Sequence, residues 1–424
     1  MRWPTGSCLH TTGRAEPTTL SVLRHRTYAQ LFSAQVIALL GTGLLTVALG
    51  LLAFDIAGGD AGIVLGLAMT IKMIAYVAVS PIATALTARL PRKPVLIAAD
   101  LIRAAVAVAL PFVSEAWQIY VLIFLLQSAS ATFTPTFQAV IPSVLPDEEE
   151  YTQALSLSRL AYDLESLLSP LIAAALLTVI SYHNLFVGTV VGFIVSAVLV
   201  AASRLPHIPA PPVTPFLDRL TRGTRIFWAQ RELRGLLGLN LVVATSTAMV
   251  IINTVVLVQG LLDRPQPDVA LMLGAYGGGS MVVALLMTRL LARRPDRTVM
   301  VAGATALPVM LLAAAAAIHW TDGTAQWIVL LALWFAAGAA TSAVLTPSAR
   351  LLRRNSTEDT RPAVFAAQFS LSHACFLVTY PLAGTLGAAL GLAPVAVILA
   401  GLAVVGLVLA VVSWPSGHPV RTVR

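Results

Sequence analysis

Long apolar stretches, separated by short polar segments, recur along the chain from Leu31 to Trp414. Most run for about 18 residues or more, the length that a helix needs to cross a hydrocarbon core of about 30 Å. Charge and Pro/Gly punctuation delimit twelve such helices, at about 30–54, 61–86, 94–114, 117–140, 153–181, 184–203, 235–260, 268–290, 298–319, 325–348, 363–389 and 392–414. We therefore predict an all-α membrane protein with twelve transmembrane helices.

The twelve predicted helices form two sets of six, separated by a polar connector. The connector begins with a cluster of prolines and continues with a basic amphipathic stretch from Phe216 to Trp228, which predicts a linker with a helix lying on the membrane surface. The expected parts are an N-terminal tail (1–29), a first bundle (30–203), the connector (204–234), a second bundle (235–414) and a C-terminal tail (415–424).

An internal repeat supports the division into two related bundles. Three short matches recur in the same order at offsets of about 200 to 212 residues. They are Ser80 to Arg89 with Ser280 to Arg289, Thr134-Pro135 with Thr346-Pro347, and Pro170-Leu171 with Pro381-Leu382. We predict two pseudo-symmetric six-helix bundles, as in duplicated transporter folds.

The composition changes how the positive net charge of the chain is interpreted. The chain is 58% hydrophobic and only 11% charged, against roughly 25% charged residues in an ordinary soluble domain. A net charge of +8 would suggest nucleic acid as the partner of a soluble protein, but 25 of the 27 basic residues are Arg and they lie mostly between apolar segments. The charge therefore indicates topology, with no nucleic acid as partner.

The basic residues predict on which side of the membrane the termini lie. On the side that holds both termini we count 23 of the 27, and only Arg264 lies on the other side. Lys72, Arg103 and Arg159 fall within helices. The positive-inside rule then places both termini in the cytoplasm and the protein in the inner membrane. Because the first 27 or so residues hold no apolar h-region, we expect no cleaved signal peptide.

The loop after the second helix carries the motif by which the chain resembles a known family. It reads Thr-Ala-Leu-Thr-Ala-Arg-Leu-Pro-Arg-Lys from Thr84 to Lys93, and it resembles the G-x-L-A-D-R-x-G-R-K loop of the major facilitator superfamily of secondary transporters. Three positions match, at Arg89, Arg92 and Lys93. Three positions differ, with Thr84, Ala88 and Pro91 in place of the family's Gly, Asp and Gly.

The resemblance also implies a branch and a role for the motif. The Asp-Leu-Ile-Arg run from Asp100 to Arg103, with the stretch from Ile141 to Pro146, is similar to the branch that contains siderophore and drug exporters. Family antiporters often carry Gly-Pro with flanking glycines on the fifth helix, where this chain has Ser169-Pro170 and no glycine. The motif residues are thereby implied to control conformational balance, whereas we interpret Asp100 and Arg103 as structural.

Charged residues within the second and fifth helices are the strongest candidates for chemistry. Lys72 lies about 11 residues into the second helix, too deep for easy snorkelling, and an intramembrane charge indicates either a structural ion pair or a role in handling solute or protons. On the fifth helix Arg159 and Asp163 share a face, while Glu165 is turned about 200° from Asp163. Either Arg159 and Asp163 neutralise each other while Glu165 packs against a neighbouring polar helix, or one acid titrates as a proton site while the other pairs with Lys72. For the second case we predict that Asp163, rather than Glu165, is the partner of Lys72.

The eleventh helix carries a second set of candidates. Gln368, Ser372, His373, Cys375 and Tyr380 interrupt its apolar run. His373 and Cys375 point apart on a helix, so a shared metal site is not expected. His373 is either a hydrogen-bonded core histidine or, with Tyr380, part of a proton or solute pathway.

The sequence lacks the common catalytic and nucleotide-binding motifs, so ATP-driven transport by this chain is not expected. The sequence contains no H-E-x-x-H, G-x-S-x-G, Cys-x-x-Cys or Walker pattern, and the glycines from Gly274 to Gly279 lie inside a span, as in a kink or a close-packing region. Cys8 and Cys375 lie too far apart in the topology to build a disulfide framework. The acidic run from Asp147 to Glu150 suits the start of the fifth helix.

The sequence thus predicts a proton-coupled secondary transporter that works by alternating access, and the family resemblance implies export of a small organic solute of the drug or siderophore kind. Two alternatives stay open: a divalent metal-ion exporter within transport, and a membrane-embedded enzyme or non-transporting receptor outside it. We expect a monomer that works with a small-molecule solute, protons and the lipid bilayer, and no cofactor.

Overall fold

The computed structural model describes residues 21–57, 61–206 and 215–414, and in them the chain is helical with no β-strand. The fourteen α-helices are α1 (Arg26–Ala57), α2 (Ala61–Ile74), α3 (Ser80–Thr87), α4 (Arg92–Ala109), α5 (Ala116–Val144), α6 (Glu148–Leu177), α7 (His183–Ala202), α8 (Phe216–Ala229), α9 (Arg231–Val255), α10 (Gln266–Arg293), α11 (Asp296–Trp320), α12 (Gly323–Arg354), α13 (Arg361–Leu390) and α14 (Leu392–Ser413).

Twelve membrane spans account for thirteen of these helices. α2 and α3 form one span, joined by a π-helical segment at Ala75–Val79, and a second π-helical segment, Val256–Leu261, extends α9. Among the described residues eleven helices are long and apolar enough to cross a membrane. α6 is 30 residues long and carries six charged side chains, three of them in its first turn. The prediction of twelve helices in two bundles is confirmed, with ends that differ from the predicted ones by a few residues.

Each half of the protein is a bundle whose helices pack mainly on one another. In the first half α1 packs on α6 and α7, and α4 on α5 and α7; in the second half α9 packs on α13 and α14, and α12 on α10 and α11. Residues 1–20 of the predicted N-terminal tail, which include Cys8, lie outside the described residues, as do residues 207–214 of the connector and the whole predicted C-terminal tail, 415–424.

The glycine-rich segment of α10 is a close-packing region, as the sequence suggests. A Cβ added at Gly279 would overlap the backbone carbonyl of Phe335, and one added at Gly338 would overlap the carbonyl of Tyr276. The absence of side chains at these two positions lets the backbones of α10 and α12 touch, which is how small residues bring helices together in membranes. A larger residue at either position would push the two helices apart.

The two halves meet along two seams that are related by the internal repeat. α3 packs on α13 in the first seam, and α6 packs on α10 in the second. Ser80 on α3 donates a hydrogen bond to the carbonyl of Ala366 at 3.5 Å, while Ser280 on α10 accepts one from Arg159 Nε at 2.9 Å. The repeat-related serines, both fully buried, therefore link each half to the other.

One face of the bundle, here called the basic face, holds loops 88–91, 145–147 and 355–360 together with α8. Contacts between the halves cluster at this face. Arg350 of α12 pairs with Glu148 at the start of α6, and Tyr151 donates a hydrogen bond to the carbonyl of Ala349 at 3.4 Å. Arg353 donates to the carbonyl of Pro146. The two halves are thus closed against each other at the basic face.

The connector helix α8 docks on this face against both halves, because it contacts α3 and α13. Its Arg222 forms an ion pair with Asp359 of loop 355–360 at 2.9 Å. Burial raises the pKa of the Asp359 carboxyl, but hydrogen bonds from Thr357 and Arg222 and the Arg222 charge outweigh burial and hold the pKa below its usual value. The amphipathic helix predicted in the connector is therefore present, and an ion pair stabilises its position.

Candidate functional site

The middle of α13 is neither fully buried nor fully exposed on any side. Every residue from 368 to 377 is half-buried, so several sides of the helix are partly accessible. Aromatic and imidazole rings follow one face: His373 lies 4.3 Å from Phe369 and 6.0 Å from Phe376, and Phe376 lies 5.1 Å from Tyr380, measured between ring centroids. This row of rings forms one wall of the candidate site.

The second span supplies the facing wall. The Tyr76 ring lies 4.8 Å from Phe369 and 4.7 Å from His373, centroid to centroid, and Lys72 Nζ lies 5.7 Å from the Tyr76 centroid. Ser370 also donates a hydrogen bond to the carbonyl of Val77 at 2.5 Å. Lys72, His373 and Tyr380, all chosen from the sequence, are thereby gathered at the interface between the halves.

The charged partner of Lys72 is Glu165. The two side chains interact electrostatically, each as the charged group that acts on the other. Asp163 instead forms an ion pair with Arg159 at 3.1 Å. The predicted pair of Lys72 with Asp163 is therefore wrong. The reason is the angle of about 200° between the two acids on α6, which places Asp163 on the side of α10 and Glu165 on another side, with its Oε1 close to Gly43 of α1.

The Arg159–Asp163 pair belongs to the second seam between the halves. Arg159 donates from Nε to Ser280 Oγ at 2.9 Å while its other nitrogen holds Asp163. Both side chains are mostly buried, with 19% of the Arg159 side chain and 7% of the Asp163 side chain exposed. Because these two charges neutralise each other, Glu165 and Lys72 are left as the charged groups nearest to the aromatic walls.

His373 has a defined tautomer in this arrangement. Its Nδ1 lies 2.7 Å from the carbonyl oxygen of Phe369, and a carbonyl can only accept, so Nδ1 carries a proton. Nε2 is then the nitrogen that can gain a further proton. Cys375 instead donates from Sγ to the carbonyl of Leu371 at 3.5 Å, on another side of the helix. Across the described residues there is no group of three or more His, Cys, Asp or Glu side chains that could hold a metal ion.

An amide pair lies one turn closer to the basic face. Asn240 Nδ2 donates to Gln368 Oε1 at 3.0 Å, and Gln368 Nε2 donates back to Asn240 Oδ1 at 3.1 Å. Each amide satisfies the other, so the polar residue that the sequence singled out at 368 joins α9 to α13 within the second half.

The loop motif contacts the other half through one of its three basic residues. Arg92 donates to the carbonyls of Ala139, at 3.0 Å, and Glu358, at 2.9 Å, and so bridges the first half to loop 355–360 of the second. Lys93 donates to the carbonyl of Ser203 at the end of α7, at 2.9 Å, within the first half. Arg89 is exposed. A cleft of about 270 Å³ lies between these residues and loop 355–360.

Asp100 and Arg103 form a buried pair away from both seams. Asp100 accepts hydrogen bonds from Arg103 and, at 2.8 Å, from Ser196. The Arg103 guanidinium lies over the rings of Phe133, at 4.3 Å, and Phe193, at 4.6 Å. The pair therefore ties α4 to α5 and α7, which matches the structural interpretation of these residues.

Sequence reasoning missed several residues of the site. Tyr76, Phe369 and Phe376 were not selected, although Tyr76 lies four residues after Lys72 and the two phenylalanines flank His373 at helical spacing. That spacing could have identified them. The pair of Glu148 with Arg350 gives no such signal, because its members lie 202 residues apart.

Two related six-helix halves, joined around a polar and aromatic site within the membrane, define a multi-pass membrane transporter rather than an enzyme. The chain belongs to the Major Facilitator Superfamily, whose model matches residues 31–263 and 236–423. The two matches together cover nearly the whole chain.

Curated relatives in this family include efflux proteins. Macrolide efflux protein A of Streptococcus pyogenes is 26% identical over 183 residues, which are 42% of this chain and 44% of that protein. Macrolide efflux protein A of Enterococcus faecalis is 28% identical over 154 residues, 34% of this chain and 47% of that protein. The match therefore spans less than half the length of these relatives.

Solved structures share the fold at low sequence identity. The human organic anion transporter MFSD10 (TETRAN) superimposes with a TM-score of 0.74 at 14% identity, covering 91% of this chain and 99% of that one. A bacterial homologue of the iron transporter ferroportin, in an outward-facing state, gives 0.73 at 15% identity, covering 91% and 98%. FucP, in the outward conformation, gives 0.72 at 15% identity, covering 92% and 99%.

Proposed function

We propose that this transporter exports a small, partly apolar organic solute in exchange for protons, by rocking residues 30–203 against residues 235–414. The observation that carries the proposal is the site between the halves, where aromatic walls from the second span and α13 stand beside two side chains of opposite charge that interact electrostatically, Lys72 and Glu165. Aromatic faces hold apolar surface, and a few polar groups among them orient a ligand.

Glu165 is the proposed proton site. A carboxylate beside a lysine in a low-dielectric setting is stable as an ion pair, and protonation of the acid breaks the pair. Protonation of Glu165 would release Lys72 to another acceptor, such as a polar group of the solute, so that solute and proton alternate at one place. Arg159 and Asp163 would serve as the hinge contact at the second seam, because they already satisfy each other.

Two further groups line the proposed pathway. His373 offers Nε2 as a proton acceptor next to Tyr76, and the Lys72 charge acts on its imidazole. Tyr380 continues the aromatic wall away from the basic face. We propose that both contact the solute, with His373 able to pass a proton towards Glu165.

The names of the relatives support export of an organic solute over other cargo. Two relatives are macrolide efflux proteins, and macrolides are partly apolar organic molecules, whereas the ferroportin homologue resembles this chain in fold alone. Within the described residues no cluster of metal-binding side chains favours a divalent cation as cargo. Metal-ion export remains the second candidate for the experiment to test.

The topology belongs to the same proposal. The basic face carries most of the Lys and Arg residues of the chain, and the positive-inside rule makes this face cytoplasmic, in the inner membrane. Both tails, the connector and the motif loop then lie in the cytoplasm, and the structure, closed at the basic face, corresponds to the outward-facing state. We propose that one copy of the chain is the working unit.

Flux in proteoliposomes tests this function. The purified protein is reconstituted, and efflux of a panel that includes a macrolide, an organic cation, an organic anion and a divalent metal ion is followed with and without an imposed pH gradient. We expect organic-solute flux that rises with the gradient. Glu165→Gln should abolish the response to the gradient while solute binding persists, and the matched control Asp163→Asn should reduce stability without removing the response.

Specific outcomes would contradict the proposal. Equal flux with and without a gradient would remove proton coupling, and flux of the metal ion alone would replace the organic solute as cargo. A gradient response that survives Glu165→Gln but disappears in Asp163→Asn would move the proton site to the other acid.

A further inference from the structure

The inner side of α8 is fully engaged by the two halves. A Cβ at Gly223 would overlap the carbonyl of Ala363 on α13, and Phe227 is completely buried. Arg222 holds Asp359. The helix is thus fixed along one side, in contact with the first half through α3 and with the second half through α13.

The outer side of α8 carries large apolar groups that the protein leaves uncovered. Leu217 is 70% exposed and Trp228 is 52% exposed, and Phe216 at the start of the helix is 40% exposed. α8 lies beside α3, whose Ile82 and Leu86 are also exposed, as expected of a membrane-spanning segment that faces lipid. Exposed leucine and tryptophan at the end of a membrane span are typical of contact with the bilayer interface.

A groove of about 550 Å³ opens between these two helices. It is lined by Pro81, Leu220, Thr221, Thr224, Arg225 and Trp228. Pro81, Leu220 and Trp228 give the groove apolar surface, the two threonines give it hydroxyl groups, and Arg225 gives it a guanidinium. This combination of apolar surface with a cationic group matches the two chemical parts of a phospholipid.

The positive charge of α8 favours a lipid with an anionic headgroup. The helix carries three arginines against one acid, Asp218. Arg222 is engaged by Asp359, whereas the Arg225 side chain, paired with Asp218, is 60% exposed. A guanidinium has five N–H donors and Asp218 engages only one of its nitrogens, so the exposed donors of Arg225 can bind a phosphate group.

We propose that the groove between α3 and α8 binds one anionic phospholipid, with its phosphate at Arg225 and an acyl chain along Pro81, Leu220 and Trp228. The lipid contacts the first half through Pro81 and the connector through the other groove residues. It thereby strengthens the docking of α8 and favours the state that is closed at the basic face. This interaction does not depend on which solute the protein carries.

Lipid binding by the full-length protein tests the proposal directly. Native mass spectrometry counts phosphatidylglycerol and phosphatidylcholine retained by protein titrated with each lipid in detergent. Arg225→Gln should weaken phosphatidylglycerol binding about fivefold, because one basic residue near a membrane surface contributes a factor of this size, and leave phosphatidylcholine unchanged. Arg294→Gln is the matched control, since Arg294 is an exposed arginine between α10 and α11 that does not line the groove.

A second measurement locates the acyl chain. Phosphatidylglycerol brominated on one acyl chain should quench part of the tryptophan fluorescence in nanodiscs, and Trp228→Phe should remove that part. The same substitution at Trp320, which is the last residue of α11 and is 77% exposed, should not remove it. Equal binding of both lipids, equal weakening by Arg225→Gln and Arg294→Gln, or quenching that survives Trp228→Phe would each overturn the proposal.

Discussion

Replacing Gly43 by alanine should destabilise the protein at the point where α1 approaches the candidate proton site. Gly43 is buried, and a Cβ at this position would overlap Ser169 Oγ and Cβ on α6 and lie 2.9 Å from Glu165 Oε1. The Ser169 atoms sit on a packed helix and cannot swing away freely. Overpacking of this kind lowers the free energy of unfolding by about 1–3 kcal/mol.

The same geometry predicts a specific rescue. Ser169→Gly removes both overlapping atoms, and the Ser169 hydroxyl has no hydrogen-bond partner in the described structure, so its loss leaves no partner unsatisfied. Glycine within a helix lowers stability by about 0.5–1 kcal/mol by itself. Gly43→Ala combined with Ser169→Gly should therefore be more stable than Gly43→Ala alone, with a coupling of about 1–2 kcal/mol between the two sites.

Thermal unfolding of the detergent-solubilised protein, followed by fluorescence-detected gel filtration, measures this cycle. Gly50→Ala is the matched control, because it lies on the same helix with no heavy atom within 4 Å of its Cβ, and should be neutral or stabilising by up to about 1 kcal/mol. If Gly43→Ala melts like Gly50→Ala, or if its effect and that of Ser169→Gly simply add, α1 and α6 do not meet as described.

Three further predictions concern the ion pairs and the basic face. Lys72→Ala should strand the Glu165 carboxylate and lower stability by about 1–3 kcal/mol, and Lys72→Ala with Glu165→Ala should recover part of it; additive melting temperatures would refute the pair. Arg92→Gln should change turnover more than equilibrium solute affinity, and by a larger factor than the exposed control Arg89→Gln, because only Arg92 reaches the other half; a change in affinity alone would contradict this. Asp359→Asn should lower the melting temperature above about pH 4, and the difference should vanish as the pH falls further, because a carboxyl with a depressed pKa stabilises only while ionised; a difference that persists at pH 3 would count against the ion pair.

The membrane itself explains why the spans were readable from the sequence. In lipid every backbone group must be satisfied within the segment, so each crossing has to be a helix of a minimum apolar length. The repeat also proved informative, since the matches at Ser80 and Ser280 fall on the two seams between the halves. The apolar length of a span and a repeated short motif are local features of the chain, so both can be recognised in a single sequence.

The pairing of the charges could not be read in the same way. The polar neighbours of Asp163 on its own helix suggested that its face lines the cavity, but the partner of Lys72 depends on where the second span sits relative to α6. That position results from packing across the bundle, with Gly43 admitting Ser169 and Glu165 close to α1. The contact of Arg350 with Glu148 likewise joins distant segments, so its residues look like ordinary topological charges in the sequence.

The π-helical segment Ala75–Val79 sets the relative orientation of the two parts of the second span, α2 and α3. A π turn holds about one residue more than an α turn, so this span carries what amounts to an absorbed single-residue insertion between Lys72 and Ser80. Deleting one residue there would let the segment close into a regular α-helix, with Lys72 and Ser80 in nearly the same relative orientation, whereas a deletion in a regular α-helical turn rotates everything beyond it by about 100°. The solute site and the basic-face contacts should therefore keep their relative aim after a single-codon deletion within this segment, and lose it after the same deletion elsewhere in the span.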